Sequence, residues 1–337
     1  MKVSLYTIVI YLFSLTTNFA QDFHFAQFDA NPLYLNPALT GERLTEYKGL
    51  QFNANYREQF ANYTRSSGSY RSIAAGFDSQ VNSKFSIGES IVNNRSANGN
   101  FNTFNCTVSG AYKVIDQNAD DKDNHNLSFG IQMGFLNKSI HPENFTYDAQ
   151  YSPGESDGFD TRLPSGESFA KESYFKFDLN FGLYYRTSFK NKRLSIFGGA
   201  SIYHLTQPNE SFLGSNSSTP LRFNLHTGCS YKINETVSIM PLIMYMNQAK
   251  ANELNVGALL FYKIKETIYE PIFGLSARNK NAIIFQLGLR AKGNTFRVSY
   301  CLVTHYLKEY RNSGLEFSLV KTLNKKKAIE NNNSSFF

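Results

Sequence analysis

After its first twenty residues the chain has no apolar run long enough to cross a bilayer as a helix, which takes about 18 or more consecutive apolar residues. Cysteine is scarce: Cys106, Cys229 and Cys301 are far apart and form no C-x-x-C pair. Such a set supports neither a disulfide framework nor a zinc site. The six histidines, at 24, 125, 141, 204, 226 and 305, make no H-E-x-x-H or H-x-x-x-H pair, so no metal centre is expected. There is no G-x-S-x-G and no phosphate-cradling glycine loop, the usual marks of a hydrolase or a nucleotide site. His226 falls on a polar strand face and His204 at a strand end, which offers no Ser–His dyad for a lipid-cleaving barrel. No enzymatic activity and no cofactor are expected. Charge is sparse as well, at 18% against roughly 25% in soluble domains. The net charge of +7 includes Lys2 and a basic tail and lies on no recognised nucleic-acid module, so nucleic acid is not an expected partner.

What the chain has in quantity is Phe and Tyr, 30 and 21 residues, which favour strands and the interfacial girdles of membrane barrels. Tryptophan, common in such girdles, is absent; tyrosine is expected in its place. The mean hydropathy of −0.36 fits a soluble protein and a barrel equally, because only alternate barrel residues face lipid.

Period-two alternation separates the two. From Phe175 to Phe189 the odd positions read Phe, Phe, Leu, Phe, Leu, Tyr, Thr, Phe, and the even ones Lys, Asp, Asn, Gly, Tyr, Arg, Ser. From Leu221 to Ile233 one face reads Leu, Phe, Leu, Thr, Cys, Tyr, Ile and the other Arg, Asn, His, Gly, Ser, Lys. Successive strand side chains point to opposite faces, so each segment has one apolar and one polar side. Cys106 and Cys229 fall on the apolar side. The pattern recurs at 47–60, 67–79, 83–93, 104–114, 127–135, 192–205, 236–247, 254–264, 269–278, 283–290, 296–302 and 311–321, about fourteen strands in all. Many of these segments are longer than the 5 or 6 residues typical of globular strands and reach the roughly 9 to 11 of a membrane strand. Their polar faces carry Gly, Ser and Asn rather than solvated Lys and Glu. The expected fold is an all-β transmembrane antiparallel barrel over 47–321.

Residues 1–20 read as a secretory signal, with Lys2, an apolar stretch from Val3 to Leu15, and Phe19-Ala20 before Gln21. Residues 322–337 form a polar tail expected in the periplasm. With the N-terminus starting there, connections 80–82, 117–124, Asn191, Asn234-Glu235, 265–268 and Gly293 are periplasmic turns. Loops 61–66, 94–100, 139–173 and 206–220 are external, which puts the long insertions on one side.

Between signal and first strand, 21–46 is turn-rich, because each residue before proline in Asn31-Pro32 and Asn36-Pro37 avoids the helical region. A non-helical path is expected. This segment carries Asp22, Asp29, Glu42 and Glu46 against Arg43. The polar strand faces carry Arg57, Lys113, Lys176, Arg186, Arg222, Lys232, Lys263, Arg290 and Arg297 against Asp178. That implies a lumen of positive potential. Two readings follow: the acidic segment enters the basic lumen as a plug, with Phe28, Asn31, Pro32, Tyr34, Asn36 and Pro37 as its contacts, or the cations are simply solvated. Gln207, Pro208, Asn209 and Phe212, at an external strand end, are either a partner-contact loop or a rim turn.

The stretch Gln27-Phe28 followed by Asn31-Pro32-Leu33-Tyr34-Leu35-Asn36-Pro37-Ala38-Leu39-Thr40-Gly41 resembles the N-terminal signature of the PorP/SprF family of type IX secretion outer-membrane proteins. Asn53-Ala54-Asn55-Tyr56-Arg57-Glu58-Gln59-Phe60 is similar too, although the family often has Trp where this chain has Phe60. Asn126 to Gly130 and Gly198 to Phe212 extend the likeness over about 21–320. The resemblance implies a role in secretion or surface retention of type IX cargo, such as gliding adhesins bearing a type B C-terminal signal. It also implies periplasmic ring and motor components as partners, with outer-membrane lipid around the wall. The rival readings are a solute-selective outer-membrane channel with an N-terminal hatch, and a soluble adhesive β-protein.

Overall fold

The computed structural model describes residues 22–42, 49–59, 69–96, 100–117, 123–155, 158–189, 193–279, 282–304 and 314–323. The signal segment, Arg43, Glu46, Phe60, His305 and the tail beyond Leu323 lie outside them. Fourteen strands follow in chain order: β1 (Leu50–Gln59), β2 (Tyr70–Gln80), β3 (Phe85–Ser96), β4 (Phe101–Gln117), β5 (Asn124–Ile140), β6 (Ser173–Ser188), β7 (Leu194–Tyr203), β8 (Arg222–Lys232), β9 (Val237–Gln248), β10 (Ala251–Tyr262), β11 (Tyr269–Arg278), β12 (Ala282–Ala291), β13 (Asn294–Val303) and β14 (Gly314–Leu323). Each pairs with its sequence neighbours, and β1 pairs antiparallel with β14 from Leu50↔Leu323 to Gln59↔Gly314. The sheet is closed, so no edge is left to pair with another chain.

Every alternating segment of the sequence corresponds to one strand. The largest difference is at β4 and β5, which run past 104–114 and 127–135 and stay paired out to Phe101↔Ile140. Polar residues such as Asn102, Asn137 and Ser139 interrupt the apolar face there, so alternation fades while the backbone ladder continues.

The two faces of the wall divide as the alternation requires. Ile73, Val108, Phe175, Leu225 and Leu287 point outward and are exposed, whereas Asn53, Asp78, Asn180, Asn255 and Ser299 point inward and are buried. An apolar belt this extensive, facing away from the protein on every strand, is stable only against lipid. Cys106 and Cys229 share the outward parity; Cys301 is inward and buried. One rim carries short connections, including 81–84, 233–236 and 292–293. The long ones, 141–172 and 204–221, belong to the other.

Candidate functional site

The lumen is occupied by the chain's own residues 22–42. Three short turns shape this segment: 3-10 turns at Phe28–Ala30 and Pro37–Leu39, and one α-helical turn at Pro32–Leu35. The expected non-helical path is therefore corrected. Each proline opens a turn, at the first position, where its missing N–H is no loss, and Asn31 and Asn36 stand just outside as caps. The Asn36 side chain accepts from Ala38 N–H at 2.9 Å and donates to Leu183 O at 3.0 Å. Asn31 Oδ1 accepts from Asn53 Nδ2 at 3.1 Å. Both Asn-Pro pairs thus serve the turns and the wall.

The segment begins at the long-loop rim. Asp22 lies 2.7 Å from His204 Nε2 and 2.9 Å from Arg222 Nη1, and its N–H donates to Gln248 Oε1 at 2.7 Å. The chain then passes Ala26 and Gln27, whose N–H groups donate to the Glu316 carboxylate at 2.6 and 3.0 Å. Asp29 reaches Arg297 at 2.7 Å. The Pro32–Leu35 turn brings Tyr34 back onto Phe23, stacked with ring centroids 5.3 Å apart. Tyr34 Oη donates to Phe23 O and accepts from Arg222. Burial pushes its phenol up to about 12, so it stays protonated as a donor. The Leu33 and Leu35 carbonyls accept from Gln132, Ser201 and Asn224. At the short-turn rim Gly41 N–H donates to Asp78 and Glu42 sits 3.9 Å from Arg186 and 4.0 Å from Lys113. Burial raises the Glu42 carboxyl, and the two cations offset only part of that.

The wall makes room for this path with glycine. A Cβ on Gly130 would lie 2.4 Å from the Pro37 carbonyl, and one on Gly182 only 2.0 Å from Asn36 Oδ1. Side chains at these inward positions are incompatible with the Asn36-Pro37 turn.

The basic residues found by alternation are placed as follows. Arg57 is buried, donates to His24 O and lies 3.8 Å from Glu316. Arg186, Arg222 and Arg297 meet the three acidic residues of the segment. Arg290 pairs instead with Glu270 at 3.0 Å and covers the Phe261 ring at 4.5 Å. Lys176 is half-buried on the inward face of β6, whereas Lys263 is exposed in the β10–β11 connection and does not face the lumen. The wall cations are partly balanced: Asp78, Glu253, Glu270 and Glu316 are also inward and buried, and Arg278 adds a further buried cation. His24 sits between Glu253, at 3.0 Å, and Arg278. Burial, then Arg57 and Arg278, hold its pKa well below the usual value, so it is a neutral acceptor. Glu316 was legible in principle, as the polar member between outward Leu315 and Phe317.

At the rim, Gln207 is exposed with φ of 42°, and Pro208 is buried. Asn209 Oδ1 accepts from Ser211 and Ser217 N–H, closing the turn. Phe212 is wedged between Phe101 and Tyr174, with centroids 6.1 and 5.1 Å away. Its carbonyl accepts from Ala170 and Lys171 N–H, joining loop 204–221 to loop 141–172. Among the described residues no group of three or more His, Cys, Asp and Glu is placed to hold a metal ion.

Several solved structures align along most of the chain at low similarity. The Pseudomonas putida toluene transporter TodX aligns with a TM-score of 0.48 at 9% identity, covering 90% of this chain and 94% of that one. The Ralstonia pickettii toluene transporter TbuX gives 0.46 at 11% identity, with coverages of 87% and 93%. A Pseudomonas aeruginosa FadL homologue gives 0.44 at 12%, with 87% and 94%. No curated protein matches the sequence. The family model of the type IX secretion system membrane protein PorP/SprF matches residues 17–320, which takes in the lumenal segment and nearly the whole barrel. The chain belongs to the PorP/SprF family of type IX secretion system membrane proteins.

Proposed function

We propose that this barrel sits in the outer membrane of a Gram-negative bacterium and assists secretion or surface retention of type IX cargo, such as gliding adhesins, with residues 22–42 as a plug. The observation that carries the plug is the set of three carboxylates on the segment meeting three wall arginines: Asp22–Arg222, Asp29–Arg297 and Glu42–Arg186. Breaking a buried pair by removing one partner costs about 3–5 kcal/mol, so a segment held this way does not leave spontaneously. A closed barrel suits an accessory that holds a secreted protein without leaking periplasmic contents. Cargo with a type B C-terminal signal domain would meet the long-loop rim, and periplasmic ring and motor components the short-turn rim.

An apolar cavity between segment and wall, lined by Phe28, Leu35, Leu39, Tyr184, Phe197 and Leu242, favours a second reading, a solute-selective channel with the same segment as its hatch. Deleting the gene separates the two: missing surface proteins support the secretion role, and an intact surface proteome with lost solute uptake supports the channel. Deleting 24–40 tests the plug by itself, and unchanged single-channel conductance would rule it out.

A further inference from the structure

The place where the segment begins is built differently from the rest of its path. His204, just past the end of β7, contacts two carboxylates, Asp22 at 2.7 Å through Nε2 and Asp178 at 2.9 Å through Nδ1. Its backbone is left-handed, φ 62°, and its N–H donates to Asn180 Oδ1. Arg222, at the start of β8, is sandwiched between the Tyr34 ring, at 4.7 Å, and the Tyr203 ring, at 4.1 Å. This fixes the plane of the guanidinium facing Asp22. The side chains of His204 and Arg222 are 5% and 3% exposed, whereas Asp22 is 21% exposed. The basic floor is therefore buried and its carboxylate lies toward the opening. Lys138 adds positive field at Asp22 and pairs with Glu210. Three cations, His204, Arg222 and Lys138, thus stand on the wall against two carboxylates, Asp178 and Glu210, and Asp22 supplies the third.

We propose that His204, Arg222 and Gln248 form a carboxylate-recognition site at the long-loop mouth, which Asp22 fills as an internal ligand and which an acidic side chain of an incoming polypeptide takes over. The proposal rests on the plug reading above. The ligand is a polypeptide carboxylate rather than a free anion because the site also binds main chain. Gln248 accepts the N–H of the residue that carries the carboxylate. The aromatic neighbour Phe23 packs on Phe25 and Tyr34 beside it. Acidic-aromatic is therefore the preferred dipeptide. Several of the wall's contacts along the plug are to backbone atoms of Ala26, Gln27, Leu33 and Leu35, which another polypeptide could supply, alongside side-chain contacts to Gln27 and Asp29.

The test uses the full-length protein carrying Asp22→Asn, in detergent, and an acetylated peptide with the sequence of residues 22–28. Peptide binding is read by fluorescence anisotropy. The variant should bind at least tenfold more tightly than the wild type, whose own Asp22 competes. Asp→Asn within the peptide, or Arg222→Gln added to the variant, should cancel that gain. Equal binding to wild type and variant, or binding indifferent to the peptide carboxylate, overturns the proposal. A variant lacking 22–28 serves as a second receptor with its site vacated, and failure of the peptide to bind it also overturns the proposal. Conductance of the 24–40 deletion reports separately on the plug. An opened pore there, with no peptide binding to the 22–28 truncation, refutes the site and leaves the plug standing; an unchanged pore refutes the plug.

Discussion

The outward and inward faces of the same fourteen strands obey different rules. Outward, Phe175, Leu225 and Leu287 are interchangeable in kind: each needs only to be apolar, because its neighbour is lipid. Inward, Glu316, Arg297 and Arg222 have particular partners on residues 22–29, 200 to 290 positions away in sequence. One face therefore tolerates exchange within a class and rejects charge. The other accepts charge and rejects the loss of a partner.

The sharpest way to break the comparison is to put charge on the lipid side. Lysine at Leu179, Leu225 and Leu287 together should abolish insertion, since each costs about 2–4 kcal/mol near the bilayer midplane. Heat-modifiable gel migration of the envelope fraction checks this, and a folded triple variant would overturn the barrel's orientation. On the lumenal side, Glu316→Ala should still insert. It leaves Arg57 without its carboxylate and the Ala26 and Gln27 N–H groups without an acceptor. A loss of about 3–5 kcal/mol in stability is expected, with a rise in open-channel conductance.

The difference between faces also explains what was legible in the sequence. Lipid imposes one rule on every strand, so period-two alternation located all fourteen, including β6 from Phe175 and β8 from Leu221. The lumen imposes no common rule. Asp29 and Arg297 are both visible as charges, but nothing local pairs them. Gly130 and Gly182 read as ordinary strand glycines until the Asn36-Pro37 turn is seen against them. Glu253, Glu270 and Glu316 share the polar face with more numerous cations, and their partners lie on other strands or on the lumenal segment, so no local pattern marks them. The turns at Pro32 and Pro37 are legible from the Asn-Pro pairs, but their helical form is not, because a proline suits the first position of a helical turn as well as an extended path.

Alkaline pH should loosen the mouth more gently. Burial works against the charged form of His204, but Asp22 and Asp178 outweigh it and hold the imidazole up at about 9. The groups facing it are Asp22 and Asp178, with Arg222 and Lys138 beyond Asp22. A raised pKa stabilises the folded state below the ordinary histidine value of about 6.5, and that contribution disappears as pH climbs through about 9. The shift corresponds to about 3 kcal/mol at most. Thermal unfolding should therefore show lower stability at pH 9.5 than at pH 6. His204→Gln should flatten that slope, and an equal slope in both proteins would mean that His204 does not hold Asp22 as a charged partner.

The smallest effect sets one residue type against itself. Cys106 and Cys229 are outward and half-buried, and Cys301 is inward, buried against Ala26, Ala282 and Ile284 with Arg278 Nη2 at 3.8 Å from its sulfur. Valine is larger than cysteine and fully apolar. On the lipid side its extra methyl meets deformable chains, so Cys106→Val and Cys229→Val should stay within about 0.5 kcal/mol of wild type. At Cys301 the added volume presses on the lumenal segment at Ala26 and the weak contact to Arg278 is lost. Overpacking of that kind costs about 1–3 kcal/mol. Unfolding midpoints of the three variants decide the matter: a silent Cys301→Val beside a costly Cys229→Val would mean that the segment does not press on the wall at β13.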